Sequence, residues 1–309
     1  MSVSLRLGLV PDLDRTVALR TGEVGIHGTS LEVETLSSAT NVLASRFGRG
    51  DLDLAQVDIA EAIAEQRSAG EPSWVAVPVF LTRYRPSDLL HVRKDSTSGG
   101  EAVVRSGVDS SDAAVTAWAP YILSRLIPPL NSPEPQAAQR DDLVQALVTG
   151  GLDAIVTRPP VRDTAVRRSA GPVRPSGQTL VPLMDVVVIR RDLYIANRWL
   201  AVETVEAFAA AKRLGWERLR YFGALAVGLP FLHELVEAAE ATATHDSAPY
   251  GVASNRNELE YLMGRTGASV DDFFARETLD HPGVEDRTAY AVPLSRPQHR
   301  PQGRDDVTT

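Results

Sequence analysis

The sequence of 309 residues, 33.4 kDa and 43% hydrophobic content is long enough to form two lobes of ordinary size, each with its own core. Its 32 basic and 40 acidic residues leave a net charge of −8, which opposes the phosphate neutralisation that nucleic-acid binding requires. The absence of cysteine excludes disulfides, thiolate nucleophiles and cysteine-ligated metals. The six histidines are scattered and indicate no metal site, although carboxylates could still supply one.

The amino terminus, "MSVSLRLGLV", predicts a first strand and not a signal peptide, because it lacks an apolar core followed by a small-residue cleavage site. No window approaches the roughly 18 to 20 consecutive apolar residues of a membrane-spanning helix. We therefore expect a cytoplasmic protein that binds neither membrane nor nucleic acid.

Strand-like and helical segments alternate from the start of the chain. In order they are the strand "SLRLGLV", the helix "ATNVLASRF", the strand "LDLAQV", the helix "IAEAIAEQRSAG" and the strand "WVAVPVF". This alternation predicts crossover connections and a mainly parallel sheet with helices on both faces. The polar stretch 96–100, which ends in glycine, is typical of a passage between lobes.

A second set of strands and helices follows this passage. It comprises the strand "EAVVRSGV", the helix "DAAVTAWAPYILSRL", the helix "DDLVQALVTGG" and the strand "LDAIVT". The run "VVVI" at 186–189 then predicts a buried strand that returns the chain to the first lobe. Apolar residues at three- and four-residue steps predict a long amphipathic helix over about 197–222. Further helices are predicted in "LPFLHELVEAAEA", "NELEYLMGRTG" and "SVDDFFARETLD".

This order of elements predicts an α/β fold with two lobes, each a mainly parallel sheet flanked by helices, and a hinged cleft between them. Lobe 1 is discontinuous and comprises residues 1–92 and 187–280, and lobe 2, residues 93–186, is inserted into it. Residues 281–309 are rich in Pro, Arg, Asp and Gln and are predicted to form a disordered tail. Ligands of open α/β sheets bind at the carboxyl ends of strands, here in the interlobe cleft.

Six local motifs are spread over about residues 5 to 280. They are "DLDRTVALRTGEVGIHG" (12–28), "VAVPVFLTRYR" (75–85), "GLDAIVTRPP" (151–160), "VVIRRDLY" (187–194), "PYGVASNRNELE" (249–260) and "FFARETLD" (273–280). Together they resemble 4,5-dihydroxyphthalate decarboxylases, which are similar to type II periplasmic solute-binding proteins. The resemblance implies a two-lobed, hinged, Venus-flytrap fold and a small anionic ligand in the cleft. It also implies removal of a ring carboxylate without an organic cofactor.

The sequence departs from the family pattern at three polar positions. Where the family tends to carry histidines, this sequence has Pro86 and Asp185. Where the family tends to read Gly-Val-Pro-Glu, residues 107–110 read Gly-Val-Asp-Ser. The resemblance therefore bears on the fold more than on the substrate.

Decarboxylating an aromatic ring requires cations that orient carboxylates, a proton donor near the ring and a cleft of low dielectric. Arg83 and Arg85 follow the strand "WVAVPVF", and Arg158 follows "LDAIVT", so all three are candidates for binding a substrate carboxylate. The alternative is that they are surface or loop arginines paired with acids.

Polar residues at the starts of predicted helices complete the candidate substrate-binding set. They are Arg15, Thr16, Ser37, Ser38, Ser110 and Ser111. Backbone amides at a helix start bind anions, but helix capping alone would also explain the serines.

Asp185 stands at the head of the buried strand predicted at 186–189. An unpaired buried carboxylate is unfavourable, so it must bond to backbone or an arginine, or face a polar cleft. There it could relay a proton, repel a substrate carboxylate, or hold Arg83 or Arg158 in place. Asp185, Arg83 and Ser110 are the candidate catalytic residues.

Three functions fit these residues. The first is a cofactor-independent decarboxylase or related lyase acting on a small aromatic or unsaturated carboxylate or polycarboxylate. The second is a tailoring enzyme of specialised metabolism that dehydrates, hydrolyses or opens a ring, since the loss of histidines removes groups that titrate near neutral pH. The third is a cytoplasmic protein that binds a small anion without catalysis. No cofactor is expected, and formation of a homodimer is left open.

Overall fold

The computed structural model describes residues 3–11, 16–69, 71–93, 105–126, 134–161, 163, 166–168, 180–221 and 250–280. The strands are β1 (Val3–Leu9), β2 (Thr29–Thr35), β3 (Leu54–Asp58), β4 (Trp74–Val77), β5 (Leu90–Arg93), β6 (Ser106–Asp109), β7 (Gln136–Ala138), β8 (Ala154–Val156), β9 (Val166–Arg168) and β10 (Asp185–Arg190). The α-helices are α1 (Val17–Arg20), α2 (Ile59–Ala69), α3 (Pro86–Leu89), α4 (Ala113–Leu126), α5 (Arg140–Thr149), α6 (Arg191–Ala196), α7 (Trp199–Tyr221), α8 (Arg256–Gly264) and α9 (Val270–Phe273). Shorter turns of helix are a π-helical turn, Leu43–Phe47, and the 3₁₀ turns Ala253–Asn255 and Arg276–Thr278.

The first sheet has five strands in the order β2-β1-β3-β10-β4. β1 runs parallel to β2 and β3, whereas β10 is antiparallel to both β3 and β4. The four β-branched residues 186–189 of β10 are fully buried. The predicted buried strand is thus confirmed, and it occupies an interior position of the first sheet, where both of its faces are covered by apolar groups.

The second sheet has five strands in the order β7-β6-β8-β5-β9. β6 is parallel to β7 and β8, and β5 is antiparallel to β8 and β9. Gly107 in β6 permits the close approach of the neighbouring helix, because a Cβ atom there would lie 2.4 Å from Leu143 of α5 and 2.8 Å from Leu152. Both sheets are therefore mixed: β10 in the first and β5 in the second run antiparallel to their two neighbours, and the other pairs are parallel.

The predicted lobe boundaries fall within strands. The boundary at 92/93 lies in β5, which pairs in the second sheet, and the boundary at 186/187 lies in β10, which pairs in the first. The division into lobes at these positions stays a prediction. The passage at 96–100, the helix predicted at 229–241 and the tail 281–309 lie outside the described residues.

The helix predicted in "ATNVLASRF" takes a different form. Asn41 has a left-handed backbone with φ of 61°, a conformation that is not compatible with the interior of a right-handed helix. Helical geometry therefore begins only after it, as the π-helical turn. The long helix predicted over about 197–222 is confirmed as α7.

A single apolar cluster continues from the first sheet to the second. At its centre Trp118 of α4 is fully buried, and its indole Nε1 donates a hydrogen bond to the carbonyl oxygen of Leu183, 2.9 Å away. The same ring stacks on Tyr261 of α8, with ring centroids 4.9 Å apart. The helix that follows β6 is thus packed against the segment that leads into β10.

We expect Trp118→Phe to lower the free energy of unfolding by about 1–3 kcal/mol, because the substitution leaves the buried Leu183 carbonyl without its donor. Urea unfolding followed by circular dichroism measures this change. The matched control is Trp199→Phe, at a ring that is 41% exposed, for which a change within about 0.5 kcal/mol is expected. Equal effects of the two substitutions would contradict a role for the indole hydrogen bond.

Candidate functional site

A cavity of about 630 Å³ lies where strand ends of the two sheets meet. Segments that follow β1, β2 and β4 and the start of β10 contribute the first group of lining residues, which are Val10, Pro11, Ser37, Ser38, Ala39, Thr40, Leu81, Thr82, Arg83, Tyr84 and Asp185. The end of β6, the start of α5 and the segment after β8 contribute the second, which are Asp109, Ser111, Asp112, Arg140, Arg158 and Pro159. This is the edge at which open α/β sheets bind their ligands.

Arg158 is the centre of an ionic cluster that joins the two sheets. Its Nη2 lies 3.2 Å from Oδ2 of Asp58, its Nη1 lies 3.2 Å from Oδ1 of Asp185, and its Nε donates to Asp112. Asp58 and Asp185 are paired residues of the neighbouring strands β3 and β10, whereas Arg158 and Asp112 follow β8 and β6. These four residues are called the Arg158 cluster. Every nitrogen of its guanidinium donates to a carboxylate.

Helix starts supply further donors to the carboxylates of the Arg158 cluster. Oδ1 of Asp58 accepts the backbone N–H of Ala60 in α2 at 2.9 Å, and its Oδ2 accepts that of Ala114 in α4 at 3.2 Å. Oδ1 of Asp112 accepts the N–H of Val115 at 2.9 Å. Asp58 therefore caps α2, which follows its own strand, and also bonds to the first turn of α4, which follows β6 in the second sheet.

Asp185 is buried and is held on both sides. Its Oδ1 accepts from Arg158, and its Oδ2 accepts from Nε2 of Gln56 at 2.9 Å. The Oε1 of Gln56 already accepts the backbone N–H of Val10 at 3.0 Å, which fixes the orientation of the amide. The sequence offered arginine pairing and cleft exposure as alternatives for Asp185, and in the structure this carboxylate both pairs with Arg158 and borders the cavity.

The charges in the Arg158 cluster shift the protonation of its members. Burial, reinforced by the nearby carboxylate of Asp112, raises the pKa of Asp58 from 3.8 to about 7. Burial alone would lower the pKa of Arg158, but the carboxylates of Asp185, Asp112 and Asp58 together raise it, so the guanidinium stays charged. Burial also raises the pKa of Glu61, which interacts with the charges of Asp112 and Arg158. With three carboxylates around one cation, the cluster can hold a proton near neutral pH.

Arg83 also lines the cavity. Its Nη2 donates to Oδ1 of Asn255 at 2.5 Å, and its guanidinium carbon lies 5.6 Å from the ring centre of Phe80. Asn255 is fixed in turn, because its Nδ2 donates to the carbonyl oxygen of Gly251. The motif "PYGVASNRNELE" thus reaches the site through the amide that positions Arg83.

Hydroxyl groups at the cavity belong to local hydrogen-bonded turns. Oγ of Ser38 accepts the backbone N–H of Thr40 at 3.1 Å. Oγ of Ser111 donates to Oδ1 of Asp109 at 2.5 Å, and the other oxygen of Asp109 accepts from Thr157. Asp109 stands in the segment 107–110 that departs from the family pattern, and it organises the turn between β6 and α4.

The cavity brings together part of the predicted site. The predicted residues that line it are Ser37, Ser38, Arg83, Ser111, Arg158 and Asp185. Three other predicted residues do not line it. Thr16 is fully buried at the start of α1, and Arg85 is exposed at the start of α3, where its backbone N–H donates to Asp88. Ser110 is exposed, and its backbone N–H bonds to Ala138 of β7.

Arg15 lies outside the described residues. The catalytic and binding roles of all predicted residues stay predictions. Sequence reasoning missed Gln56 and Arg140 as members of the site. Arg140 opens a helix, as the chosen serines do, whereas Gln56 lies in the middle of β3 and gave no such signal.

The architecture described above is that of a periplasmic-binding-protein fold, and comparison with solved structures confirms the predicted fold class. The aliphatic sulphonate binding protein SsuA from Escherichia coli superposes with a TM-score of 0.59 at 13% identity, covering 90% of this chain and 97% of that one. The ligand-binding component of an ABC-type import system from Staphylococcus aureus gives 0.57 at 12% identity, covering 91% and 99%. The Candida albicans CA3427 gene product, which has the generic periplasmic binding protein fold, gives 0.51 at 13%, covering 87% and 93%.

Sequence comparison gives a distant relationship. The chain is 22% identical over 310 residues to a 4,5-dihydroxyphthalate decarboxylase from Comamonas testosteroni, with 84% of this chain and 90% of that protein covered. No protein-family model matches the sequence. The resemblance to this decarboxylase family is therefore supported as a distant similarity over most of the chain.

The raised pKa of Asp58 predicts a dependence of stability on pH. Between 3.8 and about 7, the folded protein keeps a proton on this carboxyl that the unfolded chain releases. The contribution of Asp58 to stability therefore falls as pH rises through this window. Asp58→Asn removes this titration. The free energy of unfolding of the variant, relative to that of the wild type, should therefore rise by on the order of 2 kcal/mol from about pH 5 to about pH 7.

Urea unfolding at a series of pH values measures this difference, whatever stability Asp58→Asn loses through its hydrogen bonds. Asp271→Asn, at an exposed carboxylate of α9, serves as the control and should differ from the wild type by the same small amount at each pH. A difference between Asp58→Asn and wild type that does not change with pH would contradict the assignment.

Proposed function

We propose that the protein is a cofactor-independent lyase that decarboxylates a small aromatic or unsaturated acid bound in the cavity. The observation that carries this proposal is the Arg158 cluster, which can hold a proton near neutral pH and has Asp185 in the cavity wall. The distant similarity to 4,5-dihydroxyphthalate decarboxylase supports the same class of reaction.

Decarboxylation of an aromatic acid consumes one proton, and carbon dioxide is the only group that leaves. The ring carbon that bears the carboxylate takes up the proton, the carbon–carbon bond to the carboxylate breaks, and its electron pair returns to the ring as carbon dioxide leaves. The protein must deliver the proton to that carbon and stabilise the charge of the intermediate. No external oxidant or reductant is required.

The residues around the cavity can be assigned to these tasks. Arg83 is held by Asn255 and by the face of Phe80, and it presents a charged planar group to a ligand carboxylate. We assign the proton to the Arg158 cluster, in which Asp185 faces the ligand and Asp58 lies behind it as the neighbour on β3. Among the described residues that line the cavity there is no histidine, and we assign proton transfer to the aspartates.

Asp185→Asn tests the proposed proton donor. The amide cannot transfer a proton as a carboxyl group does, so kcat for carbon dioxide release should fall by about 100-fold or more while the ligand still binds. The assay is carbon dioxide release from a panel of hydroxylated benzoates and phthalates that includes 4,5-dihydroxyphthalate.

Asp192→Asn is the matched control, since Asp192 lies just beyond the other end of the same strand, is exposed and pairs with Arg190. It should leave kcat within about twofold. Equal kcat for Asp185→Asn and wild type would remove Asp185 from the chemistry, and an absence of turnover by the wild type across the whole panel would contradict the lyase.

A binding protein without catalysis is the second candidate. It is favoured by the structural neighbours, which include SsuA from Escherichia coli and the alkanesulfonate-binding protein from Xanthomonas axonopodis pv. citri bound to MOPS. The Xanthomonas protein superposes with a TM-score of 0.54 at 12% identity, covering 89% of this chain and 97% of that one. For this candidate, carboxylates or sulfonates should raise the melting temperature without forming product. Release of carbon dioxide from the stabilising acid would decide for the lyase.

Other parts of the functional prediction remain open to experiment. A non-decarboxylating reaction on the same acids, a cytoplasmic location and a homodimer stay predictions from the sequence. Among the described helices, none combines the length and apolar character needed to cross a lipid bilayer.

A further inference from the structure

The arginines that border the cavity differ in how their charge is compensated. Arg158 is surrounded by three carboxylates, and each of its nitrogens already donates to one of them. Two of these acids, Asp112 and Asp185, also line the cavity. A ligand carboxylate approaching Arg158 would therefore meet a surplus of negative charge. The donors of Arg158, which the sequence suggests for anion binding, are therefore already used by carboxylates of the protein itself.

Arg140 lines the same part of the cavity and lies in a different environment. It is the first residue of α5, is half-buried, and donates from Nη2 to the backbone carbonyl oxygen of Pro160. Among the described residues, the bond to Pro160 is the side-chain hydrogen bond of Arg140, and none of their carboxylates forms an ion pair with it. A carbonyl oxygen is a neutral acceptor, so no carboxylate among the described residues compensates the charge of Arg140. The two acids that follow it in α5 are exposed and do not line the cavity.

We infer that Arg140 binds the carboxylate of the ligand on the second-sheet side of the cavity. The inference rests on the proposed function in one respect, namely that the ligand is a small carboxylate. A guanidinium offers five N–H donors, and the bond to Pro160 orients the group while leaving donors for a bidentate contact with a carboxylate. The partly enclosed wall strengthens that contact relative to one in bulk water.

This assignment gives the arginines of the cavity separate tasks. Arg158 holds the cluster together, and its positive charge is already balanced by carboxylates, whereas Arg140 recognises the anion. Pro160 follows Arg158 in the same segment, so the segment after β8 positions both guanidinium groups. Arg140 is thus a residue that determines affinity and charge selectivity, and it takes no part in proton transfer.

Arg140→Gln tests the inference through ligand affinity. Loss of a charge-assisted, bidentate contact should raise Kd for the carboxylates that bind the wild type by about 10- to 100-fold. Arg140→Lys keeps the charge without the planar fork and should show a smaller loss. Arg49→Gln, at an exposed arginine paired with Asp51, is the matched control and should leave Kd unchanged. Calorimetric titration with 4,5-dihydroxyphthalate, 3,4-dihydroxybenzoate and related acids supplies the values.

The methyl ester of 3,4-dihydroxybenzoate separates charge recognition from a structural role. Arg140→Gln should weaken the acid but not the uncharged ester, and in turnover it should raise KM while kcat stays within about threefold. Equal weakening of acid and ester, or an unchanged Kd for the acid, would overturn the inference while leaving the lyase intact. If the wild type binds the acids with this selectivity and releases no carbon dioxide, the inference holds and the proposed lyase fails. Binding of none of the acids by the wild type would overturn both.

Discussion

Three aspartates and one arginine meet at the boundary between the two sheets, and their charges are satisfied only together. A buried carboxylate is strongly unfavourable unless donors surround it, and Arg158 supplies donors to Asp58, Asp112 and Asp185 at once. Because Asp58 and Asp185 belong to the first sheet while Arg158 and Asp112 follow strands of the second, these charges are satisfied at one relative position of the sheets. The apolar packing of Trp118 against the segment before β10 favours the same position.

The cavity follows from this arrangement. Strand ends from both sheets converge at the Arg158 cluster, and the chain that leaves them must turn away, which opens a space lined by polar turns. Asp109, Ser38 and Gln56 organise these turns through bonds to nearby backbone and hydroxyl groups. The site therefore combines a cluster of paired charges with a wall that includes Arg83 and Arg140.

Periodicity in the sequence predicts β10, α7 and the two-sheet α/β architecture, because apolar spacing reports directly on local structure. Pairing between distant residues has no such local signal. Asp58 and Asp185 are adjacent only because β10 runs antiparallel between β3 and β4, and the capture of Arg158 by three acids depends on contacts between sheets. Arg140 was missed for the same reason, since the place of α5 beside the cavity depends on the pairing of β7 with β6. Thr16 and Ser110 show the opposite error, in which a helix start or strand end does not reach the site.

A chain of hydrogen bonds runs from the rim of the cavity to its floor. The backbone N–H of Val10 donates to Gln56, Gln56 donates to Asp185, and Asp185 accepts from the same guanidinium that binds Asp112. Val10 lines the cavity, so a ligand that displaces it breaks the bond that fixes the Gln56 amide, whose Nε2 donates to Asp185. A single neutral amide thus joins the backbone of one cavity-lining segment to the buried carboxylate of another, and the position of Val10 sets the orientation of a donor to Asp185.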